Sequence, residues 1–201
     1  MSTPPIRIIV GDDHPLMVDA LCTMFAGHEQ FSVVATGYSF REVAEAALTT
    51  PADLVVLDLT GMDTPAWGML ERLQRDAPHL KVVIFSSRVD LAPELLRAGA
   101  AAYVTKEERA SVLLAAVTAV ALGGSFCSPH VEAYLARGHG EASFTPQEWV
   151  TVKLLEQDPD TIRTAQAMGV VPRAVQNYVT SMLRKKGFSN RYELIEWYRR
   201  T

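Results

Sequence analysis

Only two cysteines occur among the 201 residues, Cys22 and Cys127. They match no metal or redox spacing, which excludes a disulfide framework and a zinc module and leaves two free thiols. Long apolar runs are lacking too. The longest apolar-biased stretch, Val112 to Leu122, is too short and too rich in alanine to span a bilayer. The opening Met1-Ser2-Thr3-Pro4-Pro5 has neither the basic nor the apolar segment of a signal peptide, so a cytoplasmic location with no membrane partner is expected. There is no internal repeat and no low-complexity segment.

Hydrophobic residues make up 48% of the chain and charged residues 21%, a globular rather than a disordered composition. The charge is unevenly spread. Residues 1–143 carry 10 Lys and Arg against 17 Asp and Glu, a net charge of −7, whereas residues 144–201 carry 9 against 6, a net charge of +3. An acidic front and a basic back predict two domains with different partners.

The front alternates short apolar runs with helical patterns. Strands are predicted at Ile6–Val10, Phe31–Ala35, Leu54–Leu57, Leu80–Phe85 and Ala101–Val104. Between and after them, helices are predicted at Pro15–Phe25 (with Leu16, Ala20, Leu21 and Met24 at helical spacing), Ser39–Leu48, Pro65–Arg75, Leu91–Ala98 and Glu107–Leu122. Ser39 and Glu42 have capping-box spacing. Such alternation means a parallel sheet covered on both faces. Ser128–Arg137 is a further helix pattern, and Gly138 to Ser143 has linker composition. From Phe144 onward only helices are expected: Pro146–Glu156, Asp160–Met168, Pro172–Lys186 and Arg191–Arg200.

Four of the apolar runs end in chemically active side chains: Asp12 and Asp13, Asp58, Ser86, and Lys106. In an open α/β sheet, strand carboxyl ends converge near the topological switch point. Three carboxylates, a hydroxyl and an ammonium there form a hard, oxygen-rich site of the kind Mg²⁺ prefers. These are parts for phosphoryl transfer onto a carboxylate, with Asp58 as nucleophile and Asp12 and Asp13 as metal holders. Read singly, the acid pair is also a helix cap before Pro15, Ser86 a turn residue and Lys106 a solvated charge.

Asp12-Asp13-His14-Pro15-Leu16, Asp53 to Leu59, Arg97-Ala98-Gly99-Ala100 with Tyr103 and Lys106, and Gly123-Gly124-Ser125 resemble the receiver domain of two-component response regulators of the NarL/FixJ subfamily. The resemblance implies an α/β flavodoxin-like receiver with a five-stranded parallel sheet of order 2-1-3-4-5. It implies phosphorylation of Asp58 by a sensor histidine kinase, and Mg²⁺ held by Asp12, Asp13, Asp58 and the backbone carbonyl of Thr60. Ser86 and Lys106 would read the phosphoryl group, and Tyr103 would follow Ser86 between rotamers. The loop Thr60 to Gly68 is about two residues longer than the family's, by this comparison. The Ser86–Gly99 segment is shorter, and Ser87 replaces a customary Ala.

In the back domain, Val175, Val179, Met182 and Leu183 form an apolar stripe on Pro172–Lys186. Arg173, Gln176, Asn177, Thr180 and Arg184 lie opposite, followed by Lys185 and Lys186. Amides and guanidiniums suit base edges, and a basic helix end suits phosphates. A preceding helix ending at Gly169 completes a helix-turn-helix pattern. Phe144-Thr145-Pro146-Gln147-Glu148, Leu183 to Phe188 and Asn190-Arg191 resemble the LuxR-type DNA-binding domain, a small all-α unit. Against that family, Val171 stands at a Ser/Thr cap position, Gln176 at a Lys position and Thr164 at an aliphatic core position.

The expected organisation is a receiver domain at 1–126, a linker helix and flexible linker at 127–143, and a helix-turn-helix domain at 144–201. The expected function is a DNA-binding response regulator, not an enzyme in the usual sense. Phosphorylation of Asp58 would control dimerisation and binding to double-stranded promoter DNA. Two alternatives share the architecture: a regulator independent of phosphorylation, and a protein-interaction module with a degenerate helix-turn-helix.

Overall fold

The computed structural model describes residues 4–136 and 144–200. The linker composition noted at Gly138 to Ser143 lies outside the described residues. The chain divides into two compact units, Met1–Arg137 and Gly138–Thr201.

In the first unit, strands β1 (Ile6–Gly11), β2 (Phe31–Gly37), β3 (Leu54–Leu57), β4 (Lys81–Phe85), β5 (Ala102–Val104) and β6 (Phe126–Cys127) form one parallel sheet of order β2-β1-β3-β4-β5-β6. The expected five strands are there in the order 2-1-3-4-5. A sixth, two-residue strand extends the edge beyond β5. Helices α1 (Pro15–Ala26), α2 (Phe40–Thr49), α3 (Ala66–Asp76), α4 (Ala92–Arg97), α5 (Ala110–Ala121) and α6 (Pro129–Ala136) complete the unit.

The apolar runs become strands because both sheet faces are covered. On one face Ile8, Val10, Leu54, Val56, Val83, Phe85, Ala102 and Val104 pack with Val18, Leu21 and Phe25 of α1 and Leu113, Ala116, Val117 and Val120 of α5. Each such branched or aromatic side chain contributes about 1.5–3 kcal/mol of burial.

Two helices depart from the pattern reading. On α1 the buried residues are Val18, Leu21 and Phe25, while Leu16 is 82% exposed and Ala20 is exposed. Apolar residues line most of this helix's circumference, so spacing alone does not select the buried arc. Helix α5 starts at Ala110, not Glu107. Thr105 turns the chain first: its carbonyl accepts the Glu108 N–H and its hydroxyl accepts the Glu107 N–H, leaving Arg109 extended as the cap.

The second unit is α7 (Pro146–Gln157), α8 (Thr161–Met168), α9 (Pro172–Lys186) and α10 (Arg191–Arg199). Caps define most of its helix ends. Thr145 and Glu148 form a capping box on α7, Asp160 caps α8 and Asn190 caps α10. Gly169 ends α8 with φ +65°, a left-handed conformation that costs glycine little, and this allows the short turn into α9. Helix α10 packs on its own unit, with Leu194, Ile195 and Tyr198 buried. Around it Phe144, Trp149, Trp197 and Phe188 form an edge-to-face and tilted aromatic cluster. No described helix is long and apolar enough to cross a membrane.

Candidate functional site

Register brings the first site together. Gly11 pairs with Leu57, and Leu57 with Ile84, so β1, β3 and β4 end at nearly the same level. The reversal of strand order around β1 makes the β1–β3 crevice the switch point of the sheet. Asp12 follows β1 and Asp58 follows β3, and both side chains are only 1% exposed. The Lys106 ammonium, just beyond β5, donates to Asp12 Oδ2 and Asp58 Oδ2 at 2.7 Å each. The other Asp58 oxygen accepts the Leu59 N–H at 2.7 Å. Burial works against the Lys106 ammonium, but its hydrogen bonds to Asp12 and Asp58 and their charges outweigh this and raise its pKa.

The acid pair is not a helix cap. Residue His14 is the N-cap of α1 and makes no side-chain capping bond. Asp12 Oδ1 accepts the His14 N–H, a local turn, while its second oxygen serves Lys106. Ligand atoms of Asp12, Asp13, His14 and Asp58 all lie within 4.8 Å of one another. Asp13 Oδ1 is buried and 2.7 Å from His14 Nδ1, yet no partner meets it at hydrogen-bonding geometry. Gly61 keeps this space open: its φ is +71°, and a Cβ there would fall 1.7 Å from Asp13 Oδ2. Three carboxylates against one ammonium, with an unsatisfied inward oxygen and a cradle left by a glycine, fit a hard divalent cation such as Mg²⁺.

Ser86 is fully buried at the end of β4, where its hydroxyl accepts the Arg88 N–H at 3.4 Å. Tyr103 is also fully buried, and its hydroxyl donates to the Arg88 carbonyl. Burial pushes the phenol well above its ordinary range. Ser86 and Tyr103 therefore meet the same short segment, which precedes the 3₁₀ turn Val89–Leu91 and α4. Thr60 is exposed in the loop after β3.

Two features escaped the sequence reading. Asp63, in the β3–α3 loop, accepts the Phe40 N–H at the start of α2 at 2.9 Å and so ties that loop to α2. Nothing local signals a capping carboxylate 23 residues away from its helix. Helix α6 is tied to the loop carrying Lys106. Ser128 donates its N–H to the Tyr103 carbonyl and its hydroxyl accepts the Thr105 N–H. Glu108 accepts the His130 N–H, and Glu107 lies 3.3 Å from His130 Nδ1. Val131 is fully buried, and α6 packs on α4.

The second site is the α9 face. Val175, Val179 and Met182 are buried, and Arg173, Gln176, Asn177, Thr180 and Arg184 are exposed on the other side. Lys185 and Lys186 are not. The Lys185 ammonium pairs with Glu148 of α7 at 2.6 Å, with side-chain exposures of 17% and 3%. Lys186 lies over the rings of Trp197 and Phe144, 4.9 and 5.5 Å from their centroids. The expected basic helix end is thus spent on holding α7, α9 and α10 together, because Glu148 and the aromatic cluster lie within its reach. The same Glu148 that closes the α7 capping box with Thr145 thus also pairs with Lys185, 37 residues on in the chain.

The profile of the response regulator receiver domain matches residues 8–118. Response regulator GacA of Pseudomonas viridiflava is 33% identical over 71% of this chain and 65% of its own length. The DNA-binding transcriptional activator DevR/DosR of Mycobacterium tuberculosis is 28% identical over 92% of this chain and 90% of its own. The structure of RcsB from Salmonella enterica serovar Typhimurium, bound to promoter rprA with the phosphomimetic BeF₃⁻, superposes with a TM-score of 0.68 at 17% identity. It covers 96% of this chain and 98% of that one, a likeness of fold. With a receiver profile spanning over half its length and the acid pocket at the sheet's switch point, the chain belongs to the response regulator family.

Proposed function

We propose that the protein is a DNA-binding response regulator controlled by phosphorylation of Asp58. The observation that carries this reading is the Lys106 ammonium bridging Asp12 and Asp58, 2.7 Å from each, at the switch point of the sheet. The organisation we assign is a receiver at 1–126, a linker helix and linker at 127–143, and a LuxR-type helix-turn-helix domain at 144–201. The protein is cytoplasmic in this reading.

The phosphodonor is a phosphohistidine on a sensor histidine kinase. A carboxylate oxygen of Asp58 attacks phosphorus. The P–O bond forms, the P–N bond breaks, and the departing imidazole nitrogen keeps the electron pair and takes up a proton. The Lys106 ammonium shifts its hydrogen bond from the Asp58 carboxylate to a phosphoryl oxygen, and the Ser86 hydroxyl donates to another. Asp12, Asp13, Asp58 and the Thr60 carbonyl would hold Mg²⁺, which when bound neutralises charge on the phosphoryl oxygens. The chain turns over no separate substrate and is not an enzyme in the usual sense.

When Ser86 turns toward the phosphoryl group it releases the Arg88 N–H, and Tyr103 and the segment leading into α4 are free to follow. Supporting a route onward, Ser128 just before α6 is hydrogen-bonded to Thr105, His130 of α6 to Glu108, on either side of Lys106, and α6 packs on α4. The output is homodimerisation on paired half-sites of promoter DNA. The DNA-binding description of DevR/DosR and the promoter complexes of RcsB support that output.

The test is intact-mass spectrometry after incubation with acetyl phosphate and Mg²⁺, beside Asp58→Ala, with sizing of the same samples. One phosphoryl adduct on the wild type only, with a shift toward dimer, is expected. No adduct, or the same adduct on Asp58→Ala, overturns the assignment.

A further inference from the structure

The exposed face of α9 has an unusual donor set for a DNA-reading helix. Its two lysines are withdrawn, one to Glu148 and one to the aromatic cluster. What remains outward is a guanidinium at each end, Arg173 and Arg184, around two adjacent carboxamides, Gln176 and Asn177. The Thr180 hydroxyl donates to the Gln176 backbone carbonyl, which leaves the Gln176 carboxamide out of that bond. Val171 precedes the helix as its N-cap, makes no capping bond and is 66% exposed. A β-branched apolar side chain there neither caps nor packs, whereas Ser or Thr would gain capping stabilisation.

We propose that this face selects A·T pairs, with Gln176 and Asn177 reading adenine and Val171 meeting a thymine methyl. The inference rests on the DNA-binding reading above. A carboxamide offers one acceptor and one donor side by side, which matches N6–H and N7 of adenine in the major groove. Guanine presents two acceptors there, O6 and N7, and calls for an ammonium or guanidinium. The N-terminal end of a recognition helix is the part that meets base edges, which puts Val171 at a base step rather than in bulk water. Only thymine displays a methyl group in that groove. Arg173, one turn before the carboxamides, and Arg184, two turns after, are placed to take phosphates on either side.

The experiment uses the full chain after acetyl phosphate treatment. Bound sequences are selected from a random duplex pool, and affinities for the selected duplex and its variants are measured by fluorescence anisotropy. We expect A·T pairs at the contacted positions, with each change to G·C weakening binding by about 5- to 100-fold. Replacing the contacted thymine by deoxyuridine removes only the methyl group and weakens wild type by about fourfold, the worth of one buried carbon. Val171→Ser abolishes that thymine–uracil difference while raising the unfolding temperature through its new cap. Gln176→Lys raises affinity for all duplexes, steepens the salt dependence and relaxes the adenine preference.

Selection of G·C pairs at these positions, or equal wild-type affinity for thymine and deoxyuridine duplexes at every position, overturns the inference and leaves DNA binding standing. Selection of no sequence at all removes the DNA-binding reading and this inference with it.

Discussion

Replacing Lys106 by Met is expected to destabilise the receiver unit by about 3 kcal/mol, the lower end of the cost of breaking a buried ion pair. The low end applies because Lys106 is 15% exposed and water reaches its ammonium, whereas the Asp12 and Asp58 side chains are 1% exposed. The substitution leaves those two carboxylates, and Asp13 beside them, with no cation. The pKa of Lys106 is raised in the folded protein. A cationic group so raised stabilises fully below its unfolded value and loses that contribution only as pH rises through the folded one. At pH 7 the whole effect is therefore present. For a unit of this size about 3 kcal/mol corresponds to roughly 12 °C in unfolding temperature. The assay is thermal unfolding of the full chain followed by near-ultraviolet circular dichroism, with and without Mg²⁺. Mg²⁺ should stabilise the variant more than the wild type, since the pocket then holds three carboxylates and no competing ammonium. Saturation at a hundred times the dissociation constant is worth about 2.7 kcal/mol. A loss below about 1 kcal/mol, the range of exposed pairs, or an equal Mg²⁺ response in both proteins, would refute the reasoning.

Other substitutions probe both units. The Thr164 hydroxyl is buried with no hydrogen-bond partner among the described residues, so Thr164→Val should stabilise the second unit by about 1 kcal/mol in urea unfolding. Glu148→Gln should destabilise it by about 1–3 kcal/mol. Burial raises the Glu148 pKa, but hydrogen bonds from Lys185, the Thr145 N–H and Ser181 outweigh it and hold the carboxyl below its ordinary value. That stabilisation is present above the unfolded pKa and lost as pH falls through the lower folded one, so the wild type's advantage over the variant should shrink on acid titration and persist at neutral pH. Gly61→Ala places a Cβ against Asp13 at a φ of +71°; Mg²⁺ affinity by isothermal titration should fall by about tenfold or more, with the fold retained by circular dichroism.

Much of the first unit is readable from residue type alone. Leu54-Val55-Val56-Leu57 has no polar face, so only a strand buried on both sides accommodates it, and the observed strand has those same bounds. Asp58, Ser86 and Lys106 sit directly or nearly at strand ends because each apolar run stops there and the chain turns into a loop. The limits of local pattern show at α1 and α5. Leu16 and Ala20 share helical spacing with Leu21, yet it is the arc of Val18, Leu21 and Phe25 that meets the sheet. Which arc turns inward depends on the direction in which the chain leaves β1, and no residue of α1 encodes that. At α5 the Thr105 turn outweighs a helix-forming Glu107-Glu108 pair.

Sequence by itself determined the strand and helix types apart from the two-residue β6 and the 3₁₀ turn at Val89–Leu91, the strand-end placement of Asp12, Asp58, Ser86 and Lys106, and the two-faced character of α9, because each follows from periodicity and burial within one segment. Tertiary structure decided the partners. Lys106 could have been a solvated charge until β1 and β3 were laid side by side below its loop. Lys185 and Lys186 read as a basic helix end until Glu148 and Trp197 came within reach. A charged side chain of that length covers several ångströms in any direction, and its position along the chain does not say which carboxylate, ring or solvent it will find. Only the packing of distant segments settles that, and with it which charges remain free to meet a ligand.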